Sequence, residues 1–129
     1  MKTPAPKTVL IVEDDAALRQ SLVETAEKSA FDVRSCDTAE EALALAASFR
    51  PTVIICDVHL AHGDGRRVLT KLREDEAMRD CQFVLMTGDW VGAPQSVSIA
   101  LEADAYLAKP FSLAEFVACL EARYAQANL

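Results

Sequence analysis

The chain has 129 residues, 51% hydrophobic and 26% charged, the size and balance of one ordinary globular domain that buries about two-thirds of its unfolded surface. A formal net charge of -7 argues against direct nucleic-acid binding, which needs a basic face. No apolar run approaches the roughly 20 residues of a membrane span, and Met1 to Lys7 lacks the apolar core of a signal peptide, so a cytoplasmic protein without a membrane partner is expected. Residues 1–7, with two prolines and two lysines, read as a disordered tail, residues 8–126 as the single domain and 127–129 as its C-terminal end.

Thr8 to Val12 is an apolar run that reads as a buried strand, and it ends in Glu13, Asp14 and Asp15. A helix follows, with Asp15 as its N-cap and Leu18, Leu22 and Ala26 as its stripe. Phe31 to Cys36 alternates apolar with polar residues, the mark of a half-exposed edge strand. Thr38, with Glu41 three residues on, forms a capping box for a helix expected to bury Ala42, Leu43, Ala46 and Phe49, and Pro51 marks its end. Val53 to Cys56 is a second wholly apolar strand, running straight into Asp57. After the loop to Gly65, Val68, Leu69 and Leu72 face inward from a helix with a charged end. Phe83 to Met86 is a buried strand ending at Thr87, and Pro94 suits the first turn of a short helix through Leu101. Ala105 to Ala108 is a short strand ending at Lys109 and Pro110. Ser112 and Glu115 then form a second capping box, for a helix with the stripe Leu113, Phe116, Val117, Leu120 and Tyr124.

Five β-α units in strict alternation imply an α/β fold, a doubly wound parallel sheet with helices on both faces. The three most apolar strands belong in the centre, which fits the flavodoxin-like order 2-1-3-4-5 with its switch point between the first and third strands. Glu13, Asp14, Asp57, Thr87 and Lys109 then share one rim. Crowded carboxylates repel unless a cation compensates, and Mg²⁺ suits one or two carboxylates, waters and a phosphate. Adding a hydroxyl and an ammonium makes a site suited to a phosphoryl group, for which aspartate is a known nucleophile. Cys36, Cys56, Cys81 and Cys119 form no CxxC pair and read as reduced, mostly buried thiols. His59 and His62 lie in a loop, where their spacing does not favour a zinc site.

From about Thr8 to Tyr124 the sequence resembles the receiver domains of two-component response regulators. Glu13 and Asp14 match the family's acidic pair, Asp57 its phosphoacceptor, Thr87 its hydroxyl residue, Lys109 and Pro110 its lysine and proline, and Tyr106 its aromatic switch. The resemblance implies that Asp57 accepts a phosphoryl group from a phosphohistidine on a sensor kinase or histidine phosphotransfer protein. It implies Mg²⁺, with Mn²⁺ as a substitute, on Asp14, Asp57 and the backbone carbonyl of His59, and on Glu13 through water. Phosphorylation is expected to draw Thr87 toward the phosphate and turn Tyr106 inward. That reshapes the face of the fourth helix, fifth strand and fifth helix for a downstream protein partner. The Lys109–Pro110 bond is expected to be cis.

The loop after Asp57 departs from a common family pattern, because Ala61 stands where proline is frequent; the expectation is a looser loop with unchanged chemistry. Arg66, Gly88 and Glu102 also depart from common choices. His59 and Asp89 stand where side chains of the family modulate loss of the phosphoryl group, a role the resemblance implies for them here, and Trp90 follows as a loop aromatic. No enzymatic activity is expected beyond self-phosphorylation and self-dephosphorylation. A haloacid-dehalogenase-like phosphatase would need an acid two residues after its nucleophile, where this chain has His59. A phosphorylation-independent pseudo-receiver is the competing reading, and the complete set of acids, threonine and lysine argues against it. A monomer or weak dimer is expected, either stand-alone or part of a longer regulator or hybrid kinase.

Overall fold

Runs of apolar residues with no alternation demand cover on both faces, and the chain supplies it. The computed structural model describes residues 3–88 and 103–129. Strands β1 (Thr8–Val12), β2 (Asp32–Cys36), β3 (Val53–Asp57), β4 (Gln82–Thr87) and β5 (Ala105–Ala108) form one sheet in the order β2-β1-β3-β4-β5. Every pairing is parallel. Odd and even strand positions feed opposite cores. Val9, Ile11, Val53, Ile55, Val84 and Met86 pack with helix α1 (Ala16–Lys28) and the C-terminal helix (Leu113–Ala127). Leu10, Val12, Ile54, Cys56, Phe83 and Leu85 pack with α2 (Ala39–Phe49) and α3 (Gly65–Glu74). The expected helix from Pro94 to Leu101, together with Asp89, Trp90 and Glu102, lies outside the described residues.

The helix starts follow their caps. Asp15 accepts from the Leu18 N–H and Thr38 from the Glu41 N–H, and the full reciprocal box forms at Ser112 and Glu115. Two stripes are narrower than expected. On α2 the buried residues are Ala39, Ala42 and Ala46, while Leu43 and Phe49 are half-buried. Alanines bring that helix close to the sheet edge, leaving the larger side chains on its flank, where the Arg34 guanidinium covers the Phe49 ring at 4.5 Å. On the C-terminal helix Phe116 and Leu120 are buried but Leu113, in the first turn beside the loop that leaves β5, is 46% exposed.

The expected disordered tail is tied down over Ala5 to Lys7. Ala5 donates to Asn128 Oδ1 at 2.6 Å and accepts from the Tyr124 hydroxyl at 2.8 Å. The Lys7 ammonium lies 4.8 Å from the Phe31 ring centroid and 3.3 Å from Glu121. The sequence carries no local signal for this, because every partner is more than twenty residues away. Among the described residues no helix is long and apolar enough to cross a membrane.

Asp64, the last residue of the loop after β3, caps α3. One oxygen accepts from the Arg66 N–H at 2.8 Å, and the Arg66 guanidinium closes on the carboxylate at 2.7–3.1 Å. Partial burial alone would raise this carboxyl's pKa, but the Arg66 hydrogen bonds and charge hold it below the usual value. A folded pKa below the unfolded one means stability that is present above the unfolded value and lost as pH falls through the depressed one. Asp64→Ala is therefore expected to cost about 1 kcal/mol near neutral pH, mostly the lost cap, with the deficit shrinking in acid. Urea midpoints at several pH values check this; a deficit that grows toward low pH contradicts it.

Candidate functional site

The register delivers four strand ends to one rim. Val12 pairs with Cys56, Asp57 with Met86, and Thr87 with Ala108, so Glu13, Asp57, Thr87 and Lys109 emerge side by side. Backbone bonds continue past the strands: Glu13 donates to the Cys36 carbonyl, Val58 to Met86 and Lys109 to Thr87, at 2.8–3.1 Å. The Lys109–Pro110 peptide is cis.

Asp57, only 6% exposed, is held on both oxygens. The Lys109 ammonium lies 2.6 Å from Oδ2, and the His59 N–H donates to Oδ1 at 3.1 Å. Lys109 also lies 2.6 Å from Glu13 Oε1, so one cation bridges two buried acids. The second Glu13 oxygen accepts from the Asp15 N–H at 3.0 Å, and the Arg19 guanidinium secures the Glu13 carbonyl at 2.7 Å. Burial raises the Glu13 carboxyl above its ordinary pKa, with the Asp57 charge adding to it, although the Lys109 and Asp15 hydrogen bonds pull back. Burial alone would lower Lys109, but its bonds to Asp57 and Glu13 win and raise it, so the ammonium stays charged.

Asp14, half-buried, completes the acidic set: Glu13, Asp14 and Asp57 each offer an oxygen within 4.8 Å of the others. Three carboxylates against one ammonium leave a deficit of two positive charges. The donor set is all oxygen and hard, which fits a divalent cation such as Mg²⁺. Thr87 is buried at the end of β4. Tyr106 is half-buried on the α2–α3 side of the sheet, its hydroxyl shielded from solvent. The His59 side chain is exposed in the loop, and Asp89 lies outside the described residues. Burial pushes the Cys36 and Cys81 thiols up to about 11 and raises Cys56 as well, which disfavours the reactive thiolate.

Two features of the loop were not visible in the sequence. Gly65, at the start of α3, lies so close to β3 that a Cβ there would meet the Asp57 carbonyl oxygen at 2.0 Å. The other is the N–H of Ala61, which donates to Asp14 Oδ2 at 2.7 Å, a bond that proline cannot make. Beside Lys109, a hollow of about 320 Å³ is lined by Leu18, Lys109, Pro110 and Phe111, almost all apolar apart from the ammonium.

Residues 9–121 match the family described as the response regulator receiver domain. The chain is 32% identical over 117 residues to the response regulator MprA of Mycolicibacterium vanbaalenii, covering 91% of this chain and 50% of that protein. It is 28% identical over 116 residues to the phosphate regulon transcriptional regulatory protein PhoB of Pseudomonas aeruginosa, covering 90% and 51%. The chain thus spans about half the length of these curated relatives. Among solved structures, the non-phosphorylated receiver domain of HemR from Leptospira biflexa aligns with a TM-score of 0.82 at 28% identity, over 93% of this chain and 94% of that one. The receiver domain of a sensor histidine kinase from Pseudomonas aeruginosa shares the fold with a TM-score of 0.84 at 22% identity, over 94% and 99%; it was solved with magnesium coordinated in its active-site cleft.

Proposed function

We propose that this chain, which belongs to the response regulator receiver domain family, accepts a phosphoryl group on Asp57 from a phosphohistidine and so switches a partner-binding face. The observation that carries the reading is the state of Asp57: a buried carboxylate fixed by an ammonium on one oxygen and a backbone N–H on the other. Each oxygen keeps a further acceptor position beyond these bonds. As an Asp57 oxygen bonds to phosphorus, the phosphorus–nitrogen bond to the donor ring breaks and the ring nitrogen keeps the electron pair. Lys109 stays as a charged donor to the phosphoryl oxygens, and the Thr87 hydroxyl, one strand over, is a second donor.

Asp14, Asp57 and the His59 carbonyl would hold Mg²⁺ or Mn²⁺, which supplies charge compensation to the phosphoryl group. Glu13, buried and bonded to Lys109 and the Asp15 N–H, would act on the cation through water, as the resemblance implies. The similarly folded receiver domain solved with magnesium in its cleft supports a magnesium site. Catalysis is confined to gaining and losing the phosphoryl group, with His59 beside Asp57 placed to set the rate of loss. The switch runs from Thr87 to Tyr106 and the neighbouring face, whose fourth-helix part lies outside the described residues. A cytoplasmic location belongs to the same reading, and four free thiols suit a reducing compartment.

The metal arm has a direct test. Labelling by acetyl phosphate is expected to stop in EDTA and return with Mg²⁺ or Mn²⁺. Equal labelling in EDTA contradicts the metal assignment.

The phosphohistidine donor is a protein and must reach Asp57 across the rim. The apolar hollow of Leu18, Pro110 and Phe111 lies next to Lys109, where that protein would seat. Leu18→Lys is expected to slow transfer from a phosphorylated histidine phosphotransfer protein by about 10-fold or more, since centrally buried contacts carry most interface energy. Labelling by acetyl phosphate, which needs no docking surface, is expected to stay near wild type. Equal loss with both donors contradicts the docking role.

A further inference from the structure

We propose that the backbone N–H of Ala61 is a positioning donor for the cation site: it aims the Asp14 carboxylate and ties the order of the loop at residues 59–64 to metal occupancy. The inference rests on the metal reading above and deepens it by one backbone group.

Asp14 differs from its two acidic neighbours. Glu13 and Asp57 share the Lys109 ammonium, each at 2.6 Å. Asp14, among the described residues, has a single hydrogen bond, the 2.7 Å contact from Ala61 to Oδ2. A half-buried aspartate can populate several staggered rotamers unless something holds it in one. Here the one holding group comes from 47 residues along the chain. A carboxylate has two oxygens and about four acceptor positions, so a donor on Oδ2 leaves Oδ1 open to a cation. The bond therefore orients Asp14 without consuming it, as outer hydrogen bonds orient metal-binding side chains in general.

The loop can aim that amide because it is closed on both sides. His59 and Asp64 form an isolated antiparallel bridge. Gly65 donates to the Val58 carbonyl at 2.9 Å, and Ala39 donates to the His62 carbonyl at 3.4 Å. Gly63, at φ 112°, fits against Ala39 where a Cβ would come within 2.6 Å of that alanine's Cβ. Ala61 is at the tip of this closed turn. By reciprocity, a loop that steadies a metal-binding carboxylate is itself steadied when the metal binds.

Magnesium titration calorimetry on the full chain tests the idea. Ala61→Pro removes the N–H; Ala61→Ser keeps it. Loss of an outer hydrogen bond weakens metal binding by about 10-fold at the low end of the usual range, so Ala61→Pro is expected to show at least that loss and Ala61→Ser about wild-type affinity. Equal affinity in Ala61→Pro and wild type overturns the inference, and so does a serine variant as weak as the proline one. Absence of magnesium binding by the wild type overturns the metal reading itself, a distinguishable result. Hydrogen exchange on the wild type needs no variant to fold. The Ala61 amide is expected to be protected without metal and several-fold more protected with saturating Mg²⁺. Exchange at the free-peptide rate in both conditions overturns the proposal.

Discussion

Lys109→Met is expected to cut the rate of phosphoryl acceptance from acetyl phosphate by about 10²- to 10³-fold, the usual cost of removing one electrostatic donor from a developing oxyanion. The ammonium is 2.6 Å from Asp57 and from Glu13, and no second cation among the described residues bridges that pair. Folding is expected to suffer as well. Breaking a buried ion pair from one side typically costs about 3–5 kcal/mol, but Lys109 keeps 24% of its side chain exposed, so about 2–3 kcal/mol is the expectation near neutral pH. With the ammonium gone, burial and the Asp57 charge push Glu13 further in the direction it already leans, so it takes up its proton at a higher pH than in the wild type. Its folded pKa then lies above the unfolded one, so the stability loss is expected to ease as pH falls through that raised value. Urea melts of wild type and variant across pH, beside a labelling time course, check both parts. A variant that labels at the wild-type rate contradicts the role given to Lys109.

Gly65→Ala is expected to be among the most damaging single-methyl additions in the chain. The new Cβ would sit 2.0 Å from the Asp57 carbonyl oxygen and 2.9 Å from the Cys56 sulfur. A backbone oxygen at the end of a central strand cannot step aside, so α3 must move off the sheet and break the Gly65 bond to Val58. Overpacking of this kind costs about 1–3 kcal/mol, and a lost buried hydrogen bond adds about 1 kcal/mol. Gly88→Ala is the contrasting control. Among the described residues a Cβ there meets only the Lys109 Cβ, at 4.0 Å, and a change within about 0.5 kcal/mol is expected. Denaturant melts of the two variants separate a close-approach glycine from a tolerated one; similar small effects in both contradict the crowding at Gly65.

Most of the architecture was legible because it rests on short-range patterns. Apolar runs marked β1, β3 and β4 as central, alternation marked β2 as an edge, and order 2-1-3-4-5 followed. The rim residues were legible for the same reason: a polar residue after a buried strand can only emerge at its end. Glu13, Asp57, Thr87 and Lys109 do meet there. What stayed hidden involves contacts with no local signature. The tail gave no sign of its bonds to Tyr124 and Asn128. A periodic stripe could not reveal that alanines are the fully buried residues of α2, or that Leu113 lies outside the cover. The amide of Ala61 was invisible in principle, since a backbone N–H has no letter. Its presence could be read only from the absence of proline, and its target, Asp14, only from the fold.

The loop gives the site its individual character. Lysine and acids supply charge, while amides at 59 and 61 fix where two of the carboxylates point. Such fixed dipoles need no reorganisation when charge develops.

Intact-mass analysis of wild type and Asp57→Asn after incubation with Mg²⁺ and acetyl phosphate tests the central claim most directly. The account predicts one phosphoryl adduct on the wild type, stable in acid and lost in base, and none on Asp57→Asn. No adduct on the wild type, or equal labelling of the two proteins, would contradict it.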